Sequence, residues 1–117
     1  MKTYTGGCQC GAVKFEMKAD DIEEAMSCNC SRCGKAGYLL AFLPKTQFTL
    51  LSGEDYLTEY RFGDKTIAHL FCKICGIQAF GFGKGHDGAE MAAVNVRCLD
   101  NFDLKPLCIK EFDGKSL

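Results

Sequence analysis

No stretch of this 117-residue chain approaches the ~18 consecutive apolar residues that a membrane span requires. Its N-terminus, Met1-Lys2-Thr3-Tyr4-Thr5-Gly6-Gly7, lacks the apolar core of a secretory signal peptide. A cytoplasmic, reducing location and no membrane partner are therefore expected. The chain also lacks any run of Lys or Arg, and its formal net charge is -1. A surface that grips nucleic acid usually shows a basic face, so nucleic acid is not an expected partner. Linkers, repeats and low-complexity segments are missing too, which predicts one domain over residues 1–117 around a single core. Helix signals are scarce: Asp20 to Ala25 and Leu99 to Leu104 each predict at most one turn.

Cysteine, by contrast, is abundant, with nine residues. Seven fall into three tight clusters. Cys8 and Cys10 form a C-x-C, Cys28, Cys30 and Cys33 a C-x-C-x-x-C, and Cys72 and Cys75 a C-x-x-C. Such spacings bring sulfurs within reach of one ion, as tetrahedral thiolate sites require. In a reducing compartment dense cysteines favour metal over disulfides, and an odd total fits a closed disulfide framework poorly. Seven ligands suggest a four-plus-three division: one closed structural site and one with an open position. Spacing alone leaves the pairing open, since Cys30 and Cys33 would also suit Cys72 and Cys75.

The triple Cys28-Asn29-Cys30-Ser31-Arg32-Cys33 is the functional candidate. Three thiolates leave Zn²⁺ with a net charge of about -1, a weak Lewis acid but a soft docking point for an incoming thiolate. A substrate thiol is the expected fourth ligand, with water in its absence. The competing reading is a site closed by His69, His86, Cys98 or Cys108. His86, in Gly85-His86-Asp87-Gly88, reads as a solvated turn. His69 reads as sharing a face with Ile67 and Phe71, or bonding a thiolate from outside the ligand set. Cys108, within Leu107-Cys108-Ile109, reads as a small core hydrophobe. Arg32 and Lys35 flank the triple and suit an anionic thiol. A redox role for Cys30 and Cys33 lacks a surrounding βαβ pattern.

The remaining patterns predict a mainly β protein. Ala12 to Met17 alternates apolar and polar at period two. Tyr38 to Leu43 is a short apolar run ended by Pro44. Further strands are predicted at 48–51, 56–62, 66–71, 77–82, 91–96 and 108–112. Gly11, Gly34 and Gly76 each follow a cysteine and suit sharp turns that aim N–H groups at sulfur.

Gly7-Cys8-Gln9-Cys10-Gly11-Ala12-Val13, the triple, and Phe71-Cys72-Lys73-Ile74-Cys75-Gly76 together resemble the glutathione-dependent formaldehyde-activating enzyme family, which includes centromere protein V relatives. Ile67 to Cys72, Val94 to Asp100 and Phe112-Asp113-Gly114 extend the resemblance almost end to end. Asn29 stands where the family often has histidine, and Gln78-Ala79 where relatives often have His-Pro. The resemblance implies a β-tent fold of antiparallel sheets stapled by zinc. It implies a structural Zn²⁺ on Cys8, Cys10, Cys72 and Cys75, and a second, reactive Zn²⁺ on Cys28, Cys30 and Cys33. It further implies a carbon–sulfur lyase joining formaldehyde to glutathione, in which the thiol loses its proton near the second zinc and attacks the carbonyl carbon. A zinc-stabilised module that binds a thiol or protein without turnover is the alternative. No general acid, natural aldehyde or oligomeric state follows from these residues.

Overall fold

The computed structural model describes residues 1–61, 67–85 and 87–116. His86, Phe62 and Thr66, named above, lie outside them. Among the described residues, ten strands form two sheets. A three-stranded antiparallel sheet has the order β1 (Lys2–Gly7), β2 (Lys14–Ala19), β5 (Phe48–Ser52). A seven-stranded sheet runs β10 (Cys108–Phe112), β3 (Glu24–Cys28), β4 (Leu40–Pro44), β9 (Glu90–Asn95), β8 (Phe80–Lys84), β7 (Ala68–Cys72), β6 (Leu57–Tyr60). Its pairs are antiparallel except β10 with β3, which is parallel. The mainly β expectation therefore holds, with one parallel edge.

The core lies where the sheets face each other. Period-two alternation in β2 buries Phe15 and Met17 on one face and leaves Lys14 and Lys18 outside. Phe15 stacks on Phe48 of β5 with centroids 5.3 Å apart. Phe48 in turn meets Phe80 of the larger sheet at 4.6 Å. Each such aromatic pair adds roughly 0.5–1.5 kcal/mol beyond its buried area. Val13, Val94, Val96, Ala92 and Cys72 are also fully buried.

Three expectations are corrected. Asp20 to Ala25 is no helical turn: Glu24 and Ala25 open β3, held by the parallel register Glu24 with Cys108 and Ala25 with Ile109. Leu99 to Leu104 is no helical turn either. Leu99 bridges to Gly6, the Asp100 N–H donates to the Thr5 carbonyl at 2.8 Å, and Asn101 turns left-handed at φ 52°. Cys108 is not a core residue, because β10 is an edge strand exposed along its whole length. Neither β1 nor a short helix α1 (Ser31–Ala36) inside the triple had a counterpart among the sequence-based expectations.

Candidate metal centres

The two sheets are joined at their ends by four sulfurs. Cys8 and Cys10 follow β1 of the small sheet, while Cys72 ends β7 of the large one and Cys75 lies in the turn beyond it. Their Sγ atoms all lie within 4.8 Å of one another. Cys8 to Cys10 measures 3.6 Å and Cys10 to Cys72 3.7 Å. Zn–S bonds of about 2.3 Å at the tetrahedral angle would set that edge at about 3.8 Å, so the donor set fits the ion.

The turns behave as the glycines predicted at two of three positions. Gly11 and Gly76 take φ of 84° and 80°, a region that costs other residues roughly 1–2 kcal/mol. That turn lets the Gly76 N–H reach the Cys72 carbonyl at 2.8 Å. Gly34 is instead part of α1, its N–H bonded to the Cys30 carbonyl at 2.8 Å. Amide groups also aim at sulfur: the Val13 N–H donates to Cys8 Sγ at 3.3 Å. The backbone N–H of Ile77, foremost, pulls the Cys75 thiol down to about 6.

The other three sulfurs form a separate group. Cys28 ends β3, Cys30 caps α1, and Cys33 is buried within that helix; their Sγ atoms also lie within 4.8 Å of one another. The alternative pairing of Cys30 and Cys33 with Cys72 and Cys75 is thus not the one the fold adopts. Cys30 Sγ accepts from the Cys33 N–H at 3.3 Å. Burial works against the Cys30 anion, but that N–H, the Cys33 thiol and the Arg32 N–H hold it below the usual thiol range. Burial first, then Cys30, push Cys33 up to about 12. The buried Tyr38 hydroxyl has no hydrogen-bond partner among the described residues. Burial and then the neighbouring Cys33 raise it to about 12. A thiolate at Cys33 would satisfy this orphaned donor, so the triple too fits a bound cation.

Asn29 and the C-terminal segment close one side of the triple. Asn29 Nδ2 donates to Asp113 Oδ1 at 2.9 Å, and Asn29 Oδ1 accepts from the Lys115 N–H at 2.9 Å. This clasp lays Gly114 on the cluster so closely that an added Cβ would stand 2.6 Å from Cys28 Sγ.

Two spaces lie near the triple and share Gln78 on their walls. A cavity of about 430 Å³ is walled by Cys28, Cys30, Cys33, His69 and Gln78, and otherwise by apolar side chains. A basin of about 580 Å³ lies against α1, with Arg32, Lys35, Tyr38, Gln78 and Asn95 on its walls. Gln78 separates the two. Its amide is oriented by Arg32, whose Nη2 donates to Oε1 at 2.9 Å. Gln78 Nε2 therefore faces His69 Nδ1, 3.4 Å away, as a donor. That fixes Nδ1 as the acceptor and places the proton of neutral His69 on Nε2. Burial first, then the Arg32 charge, lower the His69 pKa and favour the neutral ring. Asn95 holds the same loop by donating to the Gln78 carbonyl at 3.1 Å.

The candidates for closing the triple are now placed. His69 shares its cavity. Cys98 belongs beside the four-sulfur group: burial, then the charges of Cys8 and Cys75, raise its thiol to about 11. Cys108 is exposed at the start of β10. Gln78 stands out in the sequence only as a departure from the family pattern, and Tyr38 and Asn95 are not singled out for the site, because nothing local marks which distant loop will face a cysteine cluster.

Residues 3–111 match the sequence profile of the family described as glutathione-dependent formaldehyde-activating enzyme. The chain is also similar to a Rhodobacter sphaeroides protein of known crystal structure, a structural-genomics target. The two share 29% identity over 91% of this chain and 99% of that one, with a TM-score of 0.78.

Proposed function

Since the chain belongs to the glutathione-dependent formaldehyde-activating enzyme family, we propose that it is a zinc-dependent carbon–sulfur lyase that adds a glutathione-type thiol to formaldehyde or another aldehyde. Cys8, Cys10, Cys72 and Cys75 would hold a structural zinc, and Cys28, Cys30 and Cys33 a second zinc. Zn²⁺ at the second group would supply positive charge that lowers a nearby thiol's pKa from about 8.5. The observation that carries the reading is the placement of the triple on the wall of a cavity, in place of a fully enclosed position.

The chain's own residues then divide the work. Arg32 and Lys35 on the basin attract the carboxylates of the peptide thiol. Tyr38 and Gln78 stand between that basin and the sulfurs. The thiolate attacks the carbonyl carbon, forming the C–S bond as the C=O π bond breaks. His69, neutral with its proton on Nε2, would hydrogen-bond to the developing alkoxide and stabilise its charge, while the proton lost by the thiol passes to solvent and an equivalent one returns to the alkoxide oxygen. Gln78 is the positioning residue that keeps that proton in place. A cytoplasmic site of action and a single domain over 1–117 remain part of this proposal; no helix among the described residues is long and apolar enough to cross a membrane.

The test is native mass spectrometry of metal stoichiometry with and without glutathione, followed by adduct kinetics with formaldehyde. Two zincs, glutathione binding that requires the second, and a rate above the spontaneous reaction are expected. Binding without rate enhancement would favour the non-catalytic thiol-binding module.

A further inference from the structure

The cavity beside the triple is far larger than formaldehyde requires. Its 430 Å³ equals about fourteen waters at ~30 Å³ each, whereas a one-carbon aldehyde is on the scale of one or two. It lies in the ~300–1,000 Å³ range of sites that take whole small molecules. Apart from the sulfurs, His69 and Gln78, the described side chains on its walls are apolar: Met26, Leu40, Phe42, Ile67, Ala93 and Phe112. Nor does it end there. Past Met26, Phe42, Ile67 and Ala93 it runs into a second space of about 390 Å³, lined onward by Phe82, Met91 and one charged side chain among the described residues, Lys84. The result is an apolar trough that starts at the reactive cysteines and leads outward across β4, β9 and β8.

Glutathione does not explain this trough. Its two carboxylates and its ammonium would be desolvated against Phe and Met without partners, a heavy penalty for charged groups. The basin with Arg32 and Lys35 offers those groups a charged wall instead. What remains for the trough is the other reactant's substituent.

We infer that the aldehyde is one bearing a medium-length alkyl chain, which lies along the Met26–Phe42–Ile67 trough with its carbonyl at the triple. This rests on the aldehyde–thiol reading above. The step balances as an addition: a C–S bond forms, the C=O π bond breaks, and the oxygen gains one proton to give a hemithioacetal. No electrons are transferred.

The experiment has two arms on the metal-loaded protein. The first uses unreactive alkanols, propan-1-ol to hexan-1-ol, and follows the Met26 methyl signal by NMR. The second measures enhancement of glutathione adduct formation over the spontaneous rate for formaldehyde, propanal and hexanal. Burial of each methylene predicts about fourfold tighter alkanol binding and about fourfold greater enhancement. Phe42→Glu, at a half-exposed position that tolerates change, should abolish that length dependence; Ile67→Asp serves as an independent second variant. Formaldehyde enhancement with no gain for longer aldehydes and no alkanol binding would overturn the inference and leave the lyase reading standing. Alkanol binding with no enhancement for any aldehyde would overturn the lyase reading and this substrate class with it. A dimer whose formation covers the trough and excludes alkanols would also overturn the inference.

Discussion

At the scale of single residues, each sulfur's consequence follows from what it connects. Cys72 is buried and joins two sheets, so Cys72→Ser should lose one metal and the folded state together. Cys28→Ser should lose only the second metal, because Cys28, Cys30 and Cys33 lie within six consecutive residues and tie no distant elements together. Native mass spectrometry paired with circular dichroism separates these outcomes, and unfolding of Cys28→Ser would make the triple structural. Gly114→Ala places a methyl 2.6 Å from Cys28 Sγ. Reduced occupancy of the second metal, with the melting temperature little changed, is expected from that clash. His69 gives a pH prediction with a definite sign. Its folded pKa lies below its ordinary 6.5, so the unfolded chain binds that proton more readily. Its contribution to stability is complete above about pH 6.5 and is lost as the pH falls from there through the depressed folded pKa. Denaturant midpoints of His69→Gln should therefore depend less on pH between about 7 and 5 than those of the native chain.

Elements show how much could be read in advance, and where reading stopped. The β2, β4, β5, β9 and β10 expectations lie within a few residues of the observed strands because alternation and apolar runs are local signals. β1 escaped because its residues are polar and glycine-rich, and its partner register, Lys2 with Ala19 through Gly7 with Lys14, supplies what its sequence does not. The cysteine grouping was legible from the family resemblance, though spacing had left it open. The cavity was not, since Met26, Phe42, Ile67 and Phe112 converge from β3, β4, the segment before β7, and β10. Turn chemistry at this scale is testable at Gly76, where φ is 80°. Gly76→Ala should cost roughly 1–2 kcal/mol, visible as a lower melting temperature even with metal in excess.

Across the whole molecule, the first cluster and the Phe15–Phe48–Phe80 packing are the principal described links between the sheets. Structural thiolate zinc contributes roughly 10–16 kcal/mol of apparent binding energy, which exceeds the roughly 5–15 kcal/mol of a typical domain's stability. Strong chelation should therefore unfold the protein in one step, with hydrogen exchange lost in both sheets together. Exchange confined to the small sheet would show that the larger one stands without the ion.

The same cluster has a consequence in time. Cys10 and Cys72 are 62 positions apart. At ~5–20 residues per second, a ribosome exposes the first pair several seconds before the second. The triple emerges between them, already complete. During that interval the newborn chain presents two early thiols with no mates, next to a local trio able to capture any passing ion or oxidant. The order in which the chain is made would thus let the triple take up an ion before the four-sulfur group can close.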